Sequence, residues 1–552
     1  MRPRLCFLLV LLVLPCFGQE SFHAYYQPRN AEATDLYARK EYAKAIAILE
    51  ELRQRPELQE SDDLTEVLYN LACNYALAGN KERALGILHD AAATGSLSSV
   101  SLEQDDDFKS IRGDTDFQKL VGDLKAKERP AQLLWNSSVW NTPYREDLPE
   151  AEKIAGLSRL WSEAKFNFAF FANCPGLDWD AQYFAYLPKV VATKSTAEYY
   201  RVLGEFYAQL HDGHTGVIPP REVANLSGWP AITTALVEDR VFVNEGRDPA
   251  LKDRGVVHGV EIIAVDGVPV REYGEKNIAP RIGASTKQDL DARTFENSLL
   301  GGLVAKPVAL TLRSAEGTVV EVTLPRLSQA DSNKLPRTPW KRFEYKVLAG
   351  NIAYVALRTF SDNALVGDFD GAFAEIRKAD ALILDVRNNG GGSSNIGWSI
   401  LGYLTDRPFS GSQWRTRDYK PSYRAWGMPE KWYGQPASVQ SPHGPDPYRK
   451  PVVVLTNAHT YSAAEDFAVV FDAMKRGKIV GEPTGGSTGQ PLSFPLPGGG
   501  SARVCTKHDR YPDGREFVGV GIQPNILVRP TIEDFRAGRD TVLDAAIREL
   551  KQ

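Results

Sequence analysis

A chain of 552 residues exceeds what a single hydrophobic core organises, and about three to four domains are expected. With 43% hydrophobic and 24% charged residues it has the composition of ordinary globular protein. A net charge of −5, with no segment that gathers Lys and Arg on one face, excludes nucleic acid as the main partner.

The N-terminus MRPRLCFLLVLLVLPCFGQE sets Arg2 and Arg4 ahead of an apolar run from Leu5 to Leu14, followed by small residues before a cleavage point at Gln19. Residues 1–18 therefore read as a secretory signal, and the protein as exported, to a periplasm or the extracellular medium. The run is short for a membrane span, and no later segment approaches ~20 uninterrupted apolar residues. Leu14-Pro15-Cys16 fits a lipoprotein box poorly because Pro precedes the cysteine, so a membrane is expected as partner only if Cys16 carries lipid. Signal removal leaves Cys73, Cys174 and Cys505, too dispersed for a disulfide framework. Without C-x-x-C or H-E-x-x-H spacing, the chemistry is expected to need no metal and no cofactor.

Residues 30–127 carry two related helical segments, ARKEYAKAIAILEEL and ALAGNKERALGILHDAA. Small Ala45 and Ala84 stand at matching positions, each followed by a leucine, Leu49 and Leu88, as two closely approaching helices require. The pattern resembles tetratricopeptide repeats, which bury their apolar faces by stacking and could hold a protein partner. DDDFKSIRGDTDFQKLVGDL supplies a closing helix. In KERPAQLLWNSSVWNTPYREDLP the periodicity fails and prolines recur, which predicts a linker.

A second helical block, residues 150–216, is rich in aromatics at core spacing and ends at His211-Asp212-Gly213-His214-Thr215-Gly216. Residues 229–326 alternate short strands and turns, and GVVHGVEIIAVDGVPV resembles the core of a PDZ domain, a strand-adding peptide module. From residue 343 to 552 strands alternate with helices. The apolar runs Ala381 to Leu384 and Val452 to Leu455 predict strands buried on both faces in a layered α/β domain.

The chemistry gathers in that last segment. Gly390-Gly391-Gly392 follows one buried strand and frees backbone N–H groups to face a ligand. Ser462 follows another and opens a helix, so that Ser462-x-x-Glu465 reads equally as a capping box. In the catalytic reading, the Ala463 N–H of the first helical turn, with the helix dipole behind it, stabilises an oxyanion formed when Ser462 attacks a carbonyl. A serine hydroxyl needs a base, and His214, His459 and His508 are the candidates. Ser487 sits in G-x-S-x-G, but the following QPLSFPLPGGG cannot form the helix that a nucleophile elbow requires, so it is set aside as nucleophile.

LHDGHTG, GVEIIAVDGVPV, GNIAYVALRTF, ALILDVRNNGGG, VVVLTNAHTYSAAEDF, IVGEPTGG and GVGIQPNILV together resemble, in family order, the C-terminal processing (tail-specific) and tricorn-type serine peptidases. The resemblance implies a crotonase-like α/β core with Ser462 as nucleophile and amides near Gly391 and Ala463 as oxyanion hole. The processing branch uses a lysine where this chain has Ser487. The tricorn-type branch uses a histidine at the place of His214, preceded by an orienting serine where this chain has Gly213. A carboxylate completes the family site, with Glu516 as candidate and Asp212 as alternative. The expected function is an exported serine endopeptidase acting on extended or unfolded polypeptides through a Ser-His acyl-enzyme. A non-catalytic peptide- or ligand-binding protein on the same fold is the alternative.

Overall fold

The computed structural model describes residues 17–59, 61, 63–337 and 339–551, with side chains from Tyr25 onward. The signal-peptide reading falls almost entirely outside these residues. The chain forms two compact units, residues 1–137 and 138–552.

The first unit is helical: α1 (Phe17–Ala38), α2 (Tyr42–Arg53), α3 (Leu64–Leu77), α4 (Lys81–Ala93) and α5 (Thr115–Trp135). Ala45, Ala84 and Leu88 are fully buried, because only small side chains let neighbouring helices approach this closely. Asn80 caps α4 by accepting from the Arg83 N–H, and Asp114 caps α5 by accepting from the Asp116 N–H. The expected linker is partly wrong. Helix α5 runs through Pro130 to Trp135, since a proline removes only one helical donor and the flanking turns hold.

In the second unit, α6 (Glu150–Asn167), α7 (Trp179–Val191) and α8 (Thr196–Ala208) precede a short strand β1 (Gly216–Ile218). An antiparallel sheet follows, β2 (Ile232–Val237), β3 (Arg240–Gly246), β4 (Glu261–Val265), β5 (Val308–Arg313) and β6 (Val319–Leu324), in sequential order around its own core. Asp266 and Gly267, both at positive φ, make the two-residue turn after β4.

The central sheet runs β7 (Phe343–Leu348), β8 (Ile352–Leu357), β9 (Ala381–Asp385), β12 (Val452–Thr456), β13 (Lys478–Gly481) and β17 (Ile526–Leu527). All neighbours are parallel except the β7 edge. Every residue of β8, β9 and β12 is buried, as expected of strands covered on both faces. One face packs on α9 (Ala364–Ile376), α10 (Ser394–Leu401) and α11 (Ala463–Ala473), in a core shared with α6 to α8. The other is covered by α12 (Thr541–Leu550) through Val542 and Ala546. Between these lie β10 (Gln413–Asp418) and β11 (Lys431–Gln435), the hairpin β14 (Pro491–Leu496) and β15 (Gly500–Cys505), and β16 (Lys507–Arg510). Strand β1 pairs with β15, which ties the end of the helical block to the central domain.

The strand β9 ends on a buried charge. Asp385, fully buried, accepts from Tyr354 Oη (2.7 Å) and from Arg387 Nη2 (2.7 Å), and Arg387 also reaches Asp540 at the start of α12. Arg387→Leu leaves that carboxylate unpaired and is expected to lower stability by roughly 3–5 kcal/mol. Urea unfolding followed by tryptophan fluorescence checks this; an unchanged midpoint contradicts it.

Candidate active site

Strands β9 and β12 are parallel neighbours, so the loops leaving their carboxyl ends lie side by side, the usual place for a site in an open α/β sheet. The loop after β9 carries Gly390 to Gly392 and the loop after β12 carries Ser462. Asn389 joins them. Fully buried, it donates from Nδ2 to the Leu357 carbonyl (3.0 Å), accepts at Oδ1 from the Gly391 N–H (2.9 Å), and its own carbonyl accepts from the Tyr461 N–H (3.0 Å).

Ser462 has φ +55° and ψ −126°, a backbone conformation that side chains with a Cβ rarely adopt and that costs on the order of 1–3 kcal/mol. Its neighbours enforce it. The Ser462 N–H donates to the Ser487 carbonyl (3.1 Å) and, more weakly, to Glu465 Oε2 (3.3 Å). The capping-box arrangement of Ser462 and Glu465 is in place, with the Glu465 N–H also donating to the Ser462 carbonyl (2.7 Å). The Ser462 hydroxyl is at the same time 3.1 Å from His214 Nε2.

His214 is buried, and its ring stacks on Tyr461 at 5.2 Å between centroids and 11° between planes. Burial, aided by the positive charges of Arg503, Arg293 and Lys507, pushes the imidazolium down to about 3, so the resting ring is neutral. His214 Nδ1 lies 2.9 Å from Ser487 Oγ, which in turn donates to Asp212 Oδ1 (3.4 Å). A serine that gives its proton to a carboxylate accepts from Nδ1–H, which leaves Nε2 free to accept from Ser462. The fully buried Asp212 carboxyl is raised by desolvation, against hydrogen bonds from Thr215 and Ser285.

The structure separates the other histidines from this pair. His459 Nε2 meets Glu296 Oε2 at 2.5 Å; burial opposes the charged ring, but Glu296 outweighs it and raises the pKa. His508 Nε2 meets Glu516 Oε2 at 2.5 Å, and Glu516 also pairs with Arg510. Glu516 is thus engaged by His508 and Arg510, while both ring nitrogens of His214 are taken by serines. Asp212, the alternative orienter, reaches the ring through Ser487.

Gly391 presses its Cα against Ser462, and a Cβ there would lie 2.6 Å from Ser462 Cβ and 2.8 Å from Ala463 N. Its N–H is committed to Asn389, so the expected Gly391 donor is spent. Among the described residues, the N–H groups of Gly392 and Ala463 have no acceptor, and both line a cavity of about 240 Å³ that opens beside Ser462.

The sequence reading links none of three residues that surround the Ser462–His214 pair to that pair. Ser487 is read there as a rejected G-x-S-x-G nucleophile and as the position of the missing lysine, not as a partner of His214. Glu465, read as a cap, is fully buried and accepts from Thr484 Oγ1 (2.6 Å), Gly486 N (2.7 Å) and Ser487 N (2.9 Å), while burial still pushes it up to about 8. Tyr461 explains Gly213: a Cβ at 213 would lie 1.6 Å from the Tyr461 hydroxyl, so no orienting serine fits there. The one grouping of possible metal ligands among the described residues, Cys73 with Asp105 and Asp107, lies in the first unit.

Residues 351–528 match peptidase family S41. The chain is 25% identical over 401 residues to the chloroplastic C-terminal processing peptidase of Tetradesmus obliquus, covering 70% of this chain and 78% of that protein. It is 26% identical over 348 residues to the carboxyl-terminal-processing protease of Picosynechococcus sp., covering 61% and 74% respectively. To putative tricorn protease homolog 2 of Streptomyces coelicolor it is 26% identical over 461 residues, 77% of this chain but 35% of that protein. Among solved structures, mature CPAF complexed with lactacystin is similar in fold, with a TM-score of 0.57 at 18% identity over 73% of this chain and 98% of that one.

Gly391→Ala inserts a methyl group where only glycine fits, and shifts Ser462 against its partners. It is expected to slow reaction of Ser462 with a fluorophosphonate by about 100-fold, the cost of a displacement near 1 Å. Timed labelling measures this, with near-UV circular dichroism to verify the fold; labelling at the unmodified rate contradicts it.

Proposed function

Residues 351–528 make this chain a member of peptidase family S41, a serine-type hydrolase, and on that premise we propose that it cleaves polypeptides through an acyl-enzyme on Ser462. The observation that carries the reading is the 3.1 Å approach of His214 Nε2 to the Ser462 hydroxyl. His214 takes the Ser462 proton as Oγ attacks the carbonyl carbon, and the tetrahedral oxyanion is held by the Ala463 and Gly392 N–H groups. The imidazolium then gives its proton to the leaving amine, and water repeats the cycle on the ester. Ser487 fixes the ring in the reacting tautomer, and Asp212 offsets the transient positive charge through it.

A base buried this deeply is weak at rest, which fits a site whose positive charge is supported only while the intermediate exists. The PDZ-like sheet of β2 to β6 would hold extended chain by strand addition. From the C-terminal processing peptidases of T. obliquus and Picosynechococcus we carry over the reading that substrates are polypeptides trimmed near their C-termini. Export rests on residues 1–18; no helix among the described residues is long and apolar enough to cross a membrane.

Degradation of a reduced, carboxymethylated protein tests the reading. Ser462→Ala is expected to abolish it, and His214→Ala to lower kcat/KM by roughly 10⁴-fold. Activity retained in either variant contradicts the assignment. Ser487→Ala, which strips Nδ1 of its partner, is expected to lower kcat by about 10- to 100-fold.

The pH profile gives a separate check. A histidine pKa lowered from 6.5 to about 3 keeps the base unprotonated across the neutral range. The acid limb of kcat/KM due to this group is therefore expected well below pH 6.5, and a half-loss centred near an ordinary histidine value contradicts the buried, neutral His214.

A further inference from the structure

Two groups flank the His214 imidazole, Tyr461 stacked on its ring and Ser487 at Nδ1. A single stretch of the β2 to β6 domain reaches the segments that carry both. It lies between β4 and β5 and is helical over Lys287–Asp291 and Ala292–Ser298.

Its first turn holds the loop of Ser487. Thr286 Oγ1 donates to the Gly485 carbonyl (2.9 Å), and Gln288 Nε2 to the Thr484 and Val520 carbonyls (3.0 Å each). The next turn holds Tyr461, whose hydroxyl donates to Asp289 Oδ2 (3.3 Å). Asp289 is buried and accepts at Oδ1 from Arg293 Nε (2.6 Å), one turn further along. The Arg293 guanidinium lies over the Tyr461 ring, 4.8 Å from its centroid, within cation–π range. Glu296 then pairs with His459 of the Tyr461 loop. The stretch is itself anchored to strand β2, since Thr234 Oγ1 donates to the Phe295 carbonyl (2.7 Å) and the Leu236 N–H to Glu296 Oε1 (3.0 Å).

A buried carboxylate held by a guanidinium is weak evidence for stability, because a well-packed apolar pair serves as well. What this pair supplies is orientation. Asp289 fixes the Tyr461 hydroxyl and Arg293 fixes the tilt of its ring, which lies 11° from parallel to the imidazole. A tilted Tyr461 would carry the imidazole off its 3.1 Å line to the Ser462 hydroxyl, and such displacements are costly for a reacting pair.

We propose that residues 286–293 are a positioning element for His214, Asp289 and Arg293 acting through Tyr461, and Thr286 and Gln288 through the Ser487 loop. The inference rests on His214 serving Ser462 as base, and its test separates the two. The double variant Asp289→Asn with Arg293→Met removes both charges together, so neither is left unpaired. It is expected to lower kcat about tenfold with KM within about twofold, since alignment and not binding is lost. Arg293→Lys alone, which keeps the charge pair, is expected to retain at least half of the wild-type kcat. Gln288→Ala changes a half-buried side chain and is expected to lower kcat about threefold at unchanged KM, an independent reading should the double variant fail to fold by near-UV circular dichroism. Unchanged kcat in the folded variants, a loss carried by KM alone, or a loss in Arg293→Lys as large as that of the double variant overturns the positioning role. The peptidase reading then stands so long as the wild type labels on Ser462 with a fluorophosphonate and cuts. Wild type that neither labels nor cuts overturns the peptidase reading, and this inference with it.

Discussion

The arrangement around Ser462 depends on the strain of that one residue. Ser462 sits at φ +55° between a fully buried strand and a buried helix, and neither flank can relax without breaking core contacts. Strain of this kind persists only when the surroundings over-determine it. Here the Tyr461 N–H is held by Asn389, the Ser462 N–H by the Ser487 carbonyl, and the Gly391 Cα leaves no space behind the serine Cβ. The outcome is a hydroxyl at the head of a helix and 3.1 Å from an imidazole.

The second constraint is desolvation. Glu465, Asp212 and His214 are all buried, and burial drives each toward its neutral form. Glu465 is surrounded by four donors, which bind the 484–487 loop to the first turn of α11 and so place Ser487 under the imidazole. The loop, the helix and His214 are in this way a single hydrogen-bonded assembly. Its members come from segments near residues 212, 389, 462 and 487, brought together by the parallel sheet and by the pairing of β1 with β15.

Much of this was legible in the sequence. The buried runs at Ala381 and Val452, the triple glycine, Ser462 and His214 were all singled out, because apolar periodicity and turn chemistry are local signals. The part that was not legible is the wiring. Ser487 lies 25 positions beyond Ser462 in a proline- and glycine-rich loop, and nothing local says that its hydroxyl meets a histidine from another domain segment. Gly213 looked like the loss of an orienting serine until the Tyr461 hydroxyl was seen to fill that space. The signal that could have linked them is the pairing of two departures from the family pattern, a missing serine before His214 and a new serine at 487. The Pro130 region misled for the opposite reason: a helix-breaking residue was read from propensity alone, and the neighbouring turns overrode it.

The measurement that bears most directly on the central claim is the site of a covalent adduct. The protein would be reacted with diisopropyl fluorophosphate, digested, and the modified residue located by tandem mass spectrometry. A single adduct on Ser462, with the phosphoryl oxygen found on the Ala463 and Gly392 amides in a crystal of the complex, is the predicted result. An adduct on another serine, or no adduct on a folded protein, would contradict the account and leave Ser462 as the first residue of a helix.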